Sequence, residues 1–179
     1  MKDYPEYPVY EVTNLMELLR NSVQIYGLHT AFRKINEDIN YQQLETSVLC
    51  LASSLAQYRD CFFLIQTENP FLFAVSYFAI VLTGNIAVLM NKCHYPDGTK
   101  VPPIQFSLTD VEICRRLSFS PISYDTLPCP NVEKVCTIVY SSGTTSASKG
   151  IMLSQKNLCC NVVSGLEKYR FSQGDRLIQ

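Results

Sequence analysis

Residues 61–90 constrain the fold more than any other stretch. Cys61–Ile65 is a continuous apolar run of strand length, and Ile86–Met90 is a second. Between them, Asn69-Pro70 marks a helix start, a capping residue followed by proline at the first helical position. The predicted helix runs to about Thr83, and Gly84 ends it. A strand, a helix and a strand of these lengths leave a crossover long enough for parallel pairing, which is expected to be right-handed. Strands apolar throughout are those buried on two faces. The stretch 71–90 also invites a transmembrane reading, but Thr83, Gly84 and Asn85 interrupt it and leave too short a span. No membrane span is therefore expected.

The flanking segments carry local signals of the same kind. Asn14 with Glu17 forms a cap and its box partner, and Leu15, Leu18, Leu19, Val23 and Tyr26 then share one helical face up to Gly27. Ala31–Phe32 and Ile39 read as a short hairpin turning at Asn36–Asp38. Asn40 caps a second helix with Gln43 at the box position, and Leu44, Val48, Leu51, Leu55 and Tyr58 are its stripe. Residues 91–134 hold six of the nine prolines and read as a Pro-rich connecting region. Within it a short helix is predicted from Thr109, with Glu112 three residues on, and a strand over Ser118–Tyr124. Val135–Tyr140 and Ile151–Leu153 are further strands. Ser154 caps a helix to about Tyr169, with Leu158, Val162, Leu166 and Tyr169 on one face. Leu177-Ile178 reads as the beginning of another strand, so 1–179 is expected to be part of a larger domain. The fold class expected is α/β, a mostly parallel sheet with flanking helices.

Composition narrows the function classes. The 179 residues suit one domain or part of one, and 47% of them are hydrophobic, enough for a sizeable core. Net charge is −1 and no basic cluster stands out, so no nucleic-acid surface is expected. His29 and His94 lie far apart and read as ordinary polar residues; no metal-ligand set is predicted. Of eight cysteines, Cys50, Cys61, Cys114 and Cys136 lie in apolar periodic segments, where cysteine behaves as a small hydrophobe. No CxxC pair occurs, and the N-terminus, MKDYPEYPVY, does not read as a secretory leader. Reduced thiols in the cytoplasm are expected.

Residues 138–153, IVYSSGTTSASKGIML, carry the functional signal. Ser141, Ser142, Gly143, Thr144, Thr145, Ser146 and Ser148 are small, and all but Gly143 bear hydroxyls. Such a loop lets backbone N–H groups and hydroxyls approach an anion closely, and Lys149 adds a point charge. Composition alone fits an ordinary Ser/Thr/Gly linker equally well; the order of residues separates the readings. The NTPase P-loop pattern GxxxxGK[ST] fails. Ser148 stands where its second glycine belongs, and Gly150 where Ser or Thr should follow the lysine. A short apolar strand, not a helix, comes next.

The run through Leu158 resembles the phosphate-loop motif of the AMP-forming adenylating enzymes: acyl-CoA synthetases, nonribosomal-peptide adenylation domains and luciferases. Their pattern is roughly [YF]-[ST]-S-G-[ST]-T-G-x-P-K-G-V. INYQQLE (Ile39–Glu45) is similar to their L-[ST]-Y-x-E-L motif, and VLTGNIAVLMN (Val81–Asn91) to L-x-A-G-x-x-x-V-P-[LIV]-[DN]. Asn14–Gly27 is similar to their opening helix. The departures are Ser146 for glycine, Ser148 for proline, and Gln155 where histidine is frequent. The resemblance implies an ATP-dependent ligase, of whose domain this chain is an incomplete N-terminal part. In that reaction a carboxylate attacks the α-phosphate of ATP, and a thiol of coenzyme A or a carrier protein then takes the acyl group. It implies that Ser141, Ser142, Gly143, Thr144, Thr145, Ser146, Lys149 and Gly150 hold the ATP phosphates, and that Lys149 neutralises departing pyrophosphate. Mg²⁺ is implied too, with its ligands beyond this chain. The isolated chain is expected to be inactive. The alternative is a degenerate, non-catalytic module of the same fold.

Overall fold

The computed structural model describes residues 13–33, 37–90, 100–140 and 149–169. In chain order these form α1 (Leu15–Tyr26), β1 (Thr30–Arg33), β2 (Asp38–Asn40), α2 (Tyr41–Leu55), β3 (Phe62–Gln66), α3 (Pro70–Leu82), β4 (Ile86–Leu89), β5 (Phe106–Thr109), α4 (Asp110–Arg116), β6 (Val135–Tyr140), β7 (Gly150–Ser154) and α5 (Gln155–Lys168). β1 and β2 make a small antiparallel hairpin. The other strands form one sheet in the order β5-β3-β4-β6-β7. Four of them run parallel, and β7 alone is antiparallel, paired with β6.

The expected strand–helix–strand unit is present as β3, α3 and β4, with Phe63 opposite Ala87. Asn69 starts α3 by accepting from the Phe71 and Leu72 N–H groups, and Pro70 needs no acceptor for an N–H it lacks. At its far end Gly84 takes φ +75°, a left-handed turn that favours glycine. Asn85, 2% exposed, then stitches the turn to the start of β3. Its Oδ1 accepts from the Cys61 N–H at 3.2 Å, and its Nδ2 donates to Thr83 Oγ1 and the Tyr58 carbonyl. α2 begins at the expected capping box, with Asn40 and Gln43 exchanging bonds of 2.8 Å.

The core lies where α2, α3 and α4 meet the sheet. Val48, Leu51 and Leu55 of α2, Val75, Ala79 and Ile80 of α3, and Ile113 of α4 pack with Phe63, Ile65 and Leu108. Burying each large apolar side chain contributes about 1.5–3 kcal/mol. A smaller cluster joins Leu15 of α1, Val81 of α3, Cys136 of β6 and Cys159 of α5. Burial pushes the thiols of Cys136 and Cys159 up, so both stay protonated. The seven described cysteines are free thiols.

Several expectations are corrected. No strand forms over 118–123, and Tyr124–Thr126 is a single 3₁₀ turn. Pro121 has no N–H to offer a ladder, and the Ile122 N–H donates to Leu49 of α2 instead. The sheet strand of this region is β5, for which no strand was expected. Phe62 and Gln105 zip it on: the Phe62 N–H donates to Gln105 Oε1, and the Gln105 N–H to the Phe62 carbonyl. Asp38 belongs to β2, not to the hairpin turn. Cys114 is exposed. β3 alternates buried and half-buried residues, so only one of its faces is fully covered. The stripe expected on α5 is met only in part: Leu158 packs against the smaller cluster, but Val162 and Tyr169 are exposed and Cys159 is the buried residue. The Leu177-Ile178 strand lies outside the described residues.

Candidate functional site

β6 and β7 build the frame of the candidate phosphate loop. Their register pairs Thr137 with Leu153, Ile138 with Met152, Val139 with Ile151 and Tyr140 with Gly150. The loop therefore spans two chain ends held side by side. β6 is itself fixed on its other flank, where Ala87, Val88 and Leu89 of β4 pair with Thr137, Ile138 and Val139. Because β3, β4, β5 and β6 are parallel, the loop leaves from the carboxyl edge of the sheet. Ligands of open α/β sheets bind at that edge. Ser141, Ser142, Gly143, Thr144, Thr145 and Ser146 lie outside the described residues. Lys149 and Gly150 lie within them, at the foot of the loop.

Gly150 is glycine for a steric reason. A Cβ there would sit 3.0 Å from Tyr140 Cζ and 3.1 Å from Ile138 Cγ2. The Tyr140 ring lies against Gly150, and its hydroxyl donates to the Lys100 carbonyl at 2.8 Å. Residues 100 and 140 are thus tied at the base of the loop. Gly150→Ala is expected to destabilise by about 1–3 kcal/mol through overpacking, which at this chain size lowers the unfolding midpoint by about 2–4 °C per kcal/mol. In a Tyr140→Ala background the same change should cost much less. Thermal unfolding of the four variants of that cycle checks the contact, and equal costs in both backgrounds would disprove it.

The rest of the frame is packed and capped. Thr137, 1% exposed, shares a 2.9 Å hydrogen bond with the Tyr77 hydroxyl of α3. Burial raises the Tyr77 phenol to about 12, so it stays neutral and serves as an anchor. Ser154 opens α5 with a capping box to Asn157. Gln155 is 5% exposed and its Oε1 accepts from the Leu15 N–H at 3.0 Å, joining α5 to α1. Lys149 is exposed and has no ion-pair partner among the described residues. An exposed ammonium beside a small-residue loop can meet an incoming anion without breaking a protein contact. No cluster of three or more His, Cys, Asp or Glu residues forms a metal site among the described residues. Among them, no helix is long and apolar enough to cross a membrane.

Sequence reasoning named Lys149 and Gly150 as candidates and did not find the Tyr140–Lys100 hydrogen bond at the loop's foot. An aromatic residue directly before the small-residue run was the available signal for Tyr140. Nothing local marks Lys100, whose part is played by its backbone carbonyl.

Residues 100–179 match the family model described as AMP-binding enzyme. The chain is 23% identical over 168 residues to nonribosomal peptide synthetase 4 of Gibberella zeae, which covers 79% of this chain and 2% of that protein. ATP-bound MatB from Rhodopseudomonas palustris superposes with a TM-score of 0.73 at 20% identity, covering 89% of this chain and 38% of MatB. o-Succinylbenzoate CoA synthetase from Bacillus subtilis, in complex with its acyl-adenylate intermediate, superposes at 0.69 and 17% identity, covering 88% and 47%. The chain thus spans less than half the length of either structure and a small fraction of the synthetase. At these identities the superpositions show a shared fold.

Proposed function

We propose that this chain belongs to the AMP-forming adenylating-enzyme superfamily and supplies the phosphate-binding wall of an ATP-dependent acid ligase. The observation that carries the reading is the β6–β7 frame, which pairs Tyr140 with Gly150 at the carboxyl edge of the parallel strands. The family match over residues 100–179 supports it. In the first step a carboxylate oxygen attacks the α-phosphorus of ATP. The bond to the bridging oxygen breaks, giving acyl-adenylate and pyrophosphate. In the second, a thiol of coenzyme A or a carrier protein attacks the acyl carbon and AMP leaves. The reaction is set in the cytoplasm.

In this reading Ser142, Thr144 and Thr145 donate hydroxyl or backbone hydrogen bonds to the β- and γ-phosphates. Ser141, Gly143, Ser146 and Gly150 keep the wrap close to them, and Lys149 faces the charge that develops on pyrophosphate. Positioning and fixed charge supply most of the catalysis in phosphoryl chemistry. Mg²⁺ would share the phosphate charge when bound. The chain covers 38% of MatB and 47% of the o-succinylbenzoate synthetase, so the remaining walls are assigned to further sequence of a longer protein. By itself the chain is expected to give no turnover.

The test is exchange of labelled pyrophosphate into ATP by the longest natural protein that contains this chain, with fatty, aryl and amino acids offered in turn. Carboxylate-dependent exchange is expected. A folded protein that exchanges with none of them would sink the ligase reading and favour a non-catalytic module, for which Ser146 and Ser148, in place of the motif's glycine and proline, are the specific motive.

A further inference from the structure

β6 is fastened on both of its faces, and only one of the two fastenings serves the core. Thr137, 1% exposed, faces α3, where the Tyr77 hydroxyl meets it at 2.9 Å. Tyr140 lies three positions on, so its side chain leaves from the opposite face of the strand. There it is half-buried, and its hydroxyl donates to the Lys100 carbonyl at 2.8 Å. The phenol end of the ring sits over Gly150: a Cβ there would meet Cζ at 3.0 Å and the hydroxyl at 3.1 Å. The space that a side chain would fill at Gly150 is thus the notch that receives the ring, and Ile138 Cγ2 borders it at 3.1 Å.

This second fastening is badly placed to stabilise the fold. Lys100 and Gly150 are both exposed, and a hydrogen bond made within reach of water contributes little net stability. Its position along the chain is what distinguishes it. Tyr140 and Gly150 are the last pair of the described β6–β7 ladder, and Lys149 is the residue beyond it. The ring therefore fixes the backbone directly next to the lysine. The adenylating-enzyme pattern admits either Tyr or Phe at this position, so the ring alone meets the motif and the hydroxyl is a further contribution of this chain.

We infer that Tyr140 is a positioning residue for phosphate binding: its hydroxyl, held by the Lys100 carbonyl, keeps the ring in the Gly150 notch and so fixes the point from which Lys149 reaches the anion. The inference rests on the phosphate-holding reading of the loop proposed above. Lysine carries a point charge on a flexible stem, and such a stem aims its charge well only from a fixed base. Without the hydroxyl bond the ring is free to swing out of the notch. Gly150 and Lys149 then shift together, and the ammonium loses its alignment with the phosphates. Where geometry governs a reaction, a misplacement of about 1 Å costs up to roughly 100-fold. Tyr140 itself contacts no phosphate in this scheme; it acts through Lys149.

Inorganic pyrophosphate, titrated calorimetrically into the longest natural protein that contains this chain, tests the inference. Tyr140→Phe keeps the ring and removes the bond. It should weaken pyrophosphate by at least about fivefold while moving the unfolding midpoint by only a few degrees. In a Lys149→Ala background the same change should weaken pyrophosphate no further, because its effect passes through the lysine. Pyrophosphate exchange separates this inference from the ligase reading. A wild-type protein that binds pyrophosphate with the expected coupling, yet exchanges with no carboxylate, would remove the ligase reading and leave the positioning role intact. Full affinity in Tyr140→Phe, a loss of equal size with and without Lys149, a loss accompanied by collapse of the unfolding midpoint, or no pyrophosphate binding by the wild type would each overturn the inference.

Discussion

Lys149→Ala is expected to slow pyrophosphate exchange well over tenfold in the protein that carries this chain. An oriented charge at a site of developing negative charge is worth about 2–4 kcal/mol in the transition state. At about 1.4 kcal/mol per decade, that corresponds to roughly 30-fold to nearly 1,000-fold. The side chain is exposed and makes no ion pair with a described residue, so its removal should leave stability within about 0.5 kcal/mol. Exchange lost with an unchanged unfolding midpoint would be a direct electrostatic effect. Lys149→Arg keeps the charge and should retain more exchange than alanine does. Undiminished exchange by Lys149→Ala would refute its role and leave the loop's hydroxyls and N–H groups as the phosphate ligands.

Phe63→Ala carries the largest expected loss of stability. Phe63 is 0% exposed and sits on β3, the strand between β4 and β5. Its ring stacks on Phe106 at 4.7 Å and meets Tyr58 edge-on at 6.0 Å. Truncating a buried phenylalanine costs about 3–5 kcal/mol, combining lost transfer energy with the cavity left behind. Chemical denaturation should report that loss. The unfolding midpoint should fall by about 2–4 °C for each kcal/mol. Phe62 is only half-buried on the opposite face of the same strand, so Phe62→Ala should cost clearly less. Similar costs at the two positions would mean that the helix-covered face is not the principal core.

The legible parts of the fold are those whose signals are local. Asn40, Asn69, Thr109 and Ser154 each cap the helix expected after them, because a cap is a contact between residues two or three apart. β5 was not legible. Four residues, Phe-Ser-Leu-Thr, become a strand only because Phe62 lies alongside, more than 40 positions earlier. Ser118–Tyr124 failed for the converse reason: its composition suits a strand, but no neighbouring strand receives its N–H groups. The buried face of α5 was legible only at Leu158, because the rest of it is chosen by where Leu15, Val81 and Cys136 lie. At the site, the motif points to the loop and its lysine as candidates, and of these only Lys149 and Gly150 lie among the described residues. The tie from Tyr140 to Lys100 spans 40 residues and leaves no periodic trace in the chain.

The antiparallel turn from β6 into β7 has a kinetic corollary. Tyr140 finds Gly150 across ten residues of chain, whereas Thr137 finds Ala87 across fifty. Hairpins close in about 1–10 μs, and contacts between distant positions bear a larger loop-closure cost and come later. The two strands that frame the loop can therefore meet before the sheet that supports them has assembled, so the order in which the molecule forms would run from its loop-bearing edge toward its core.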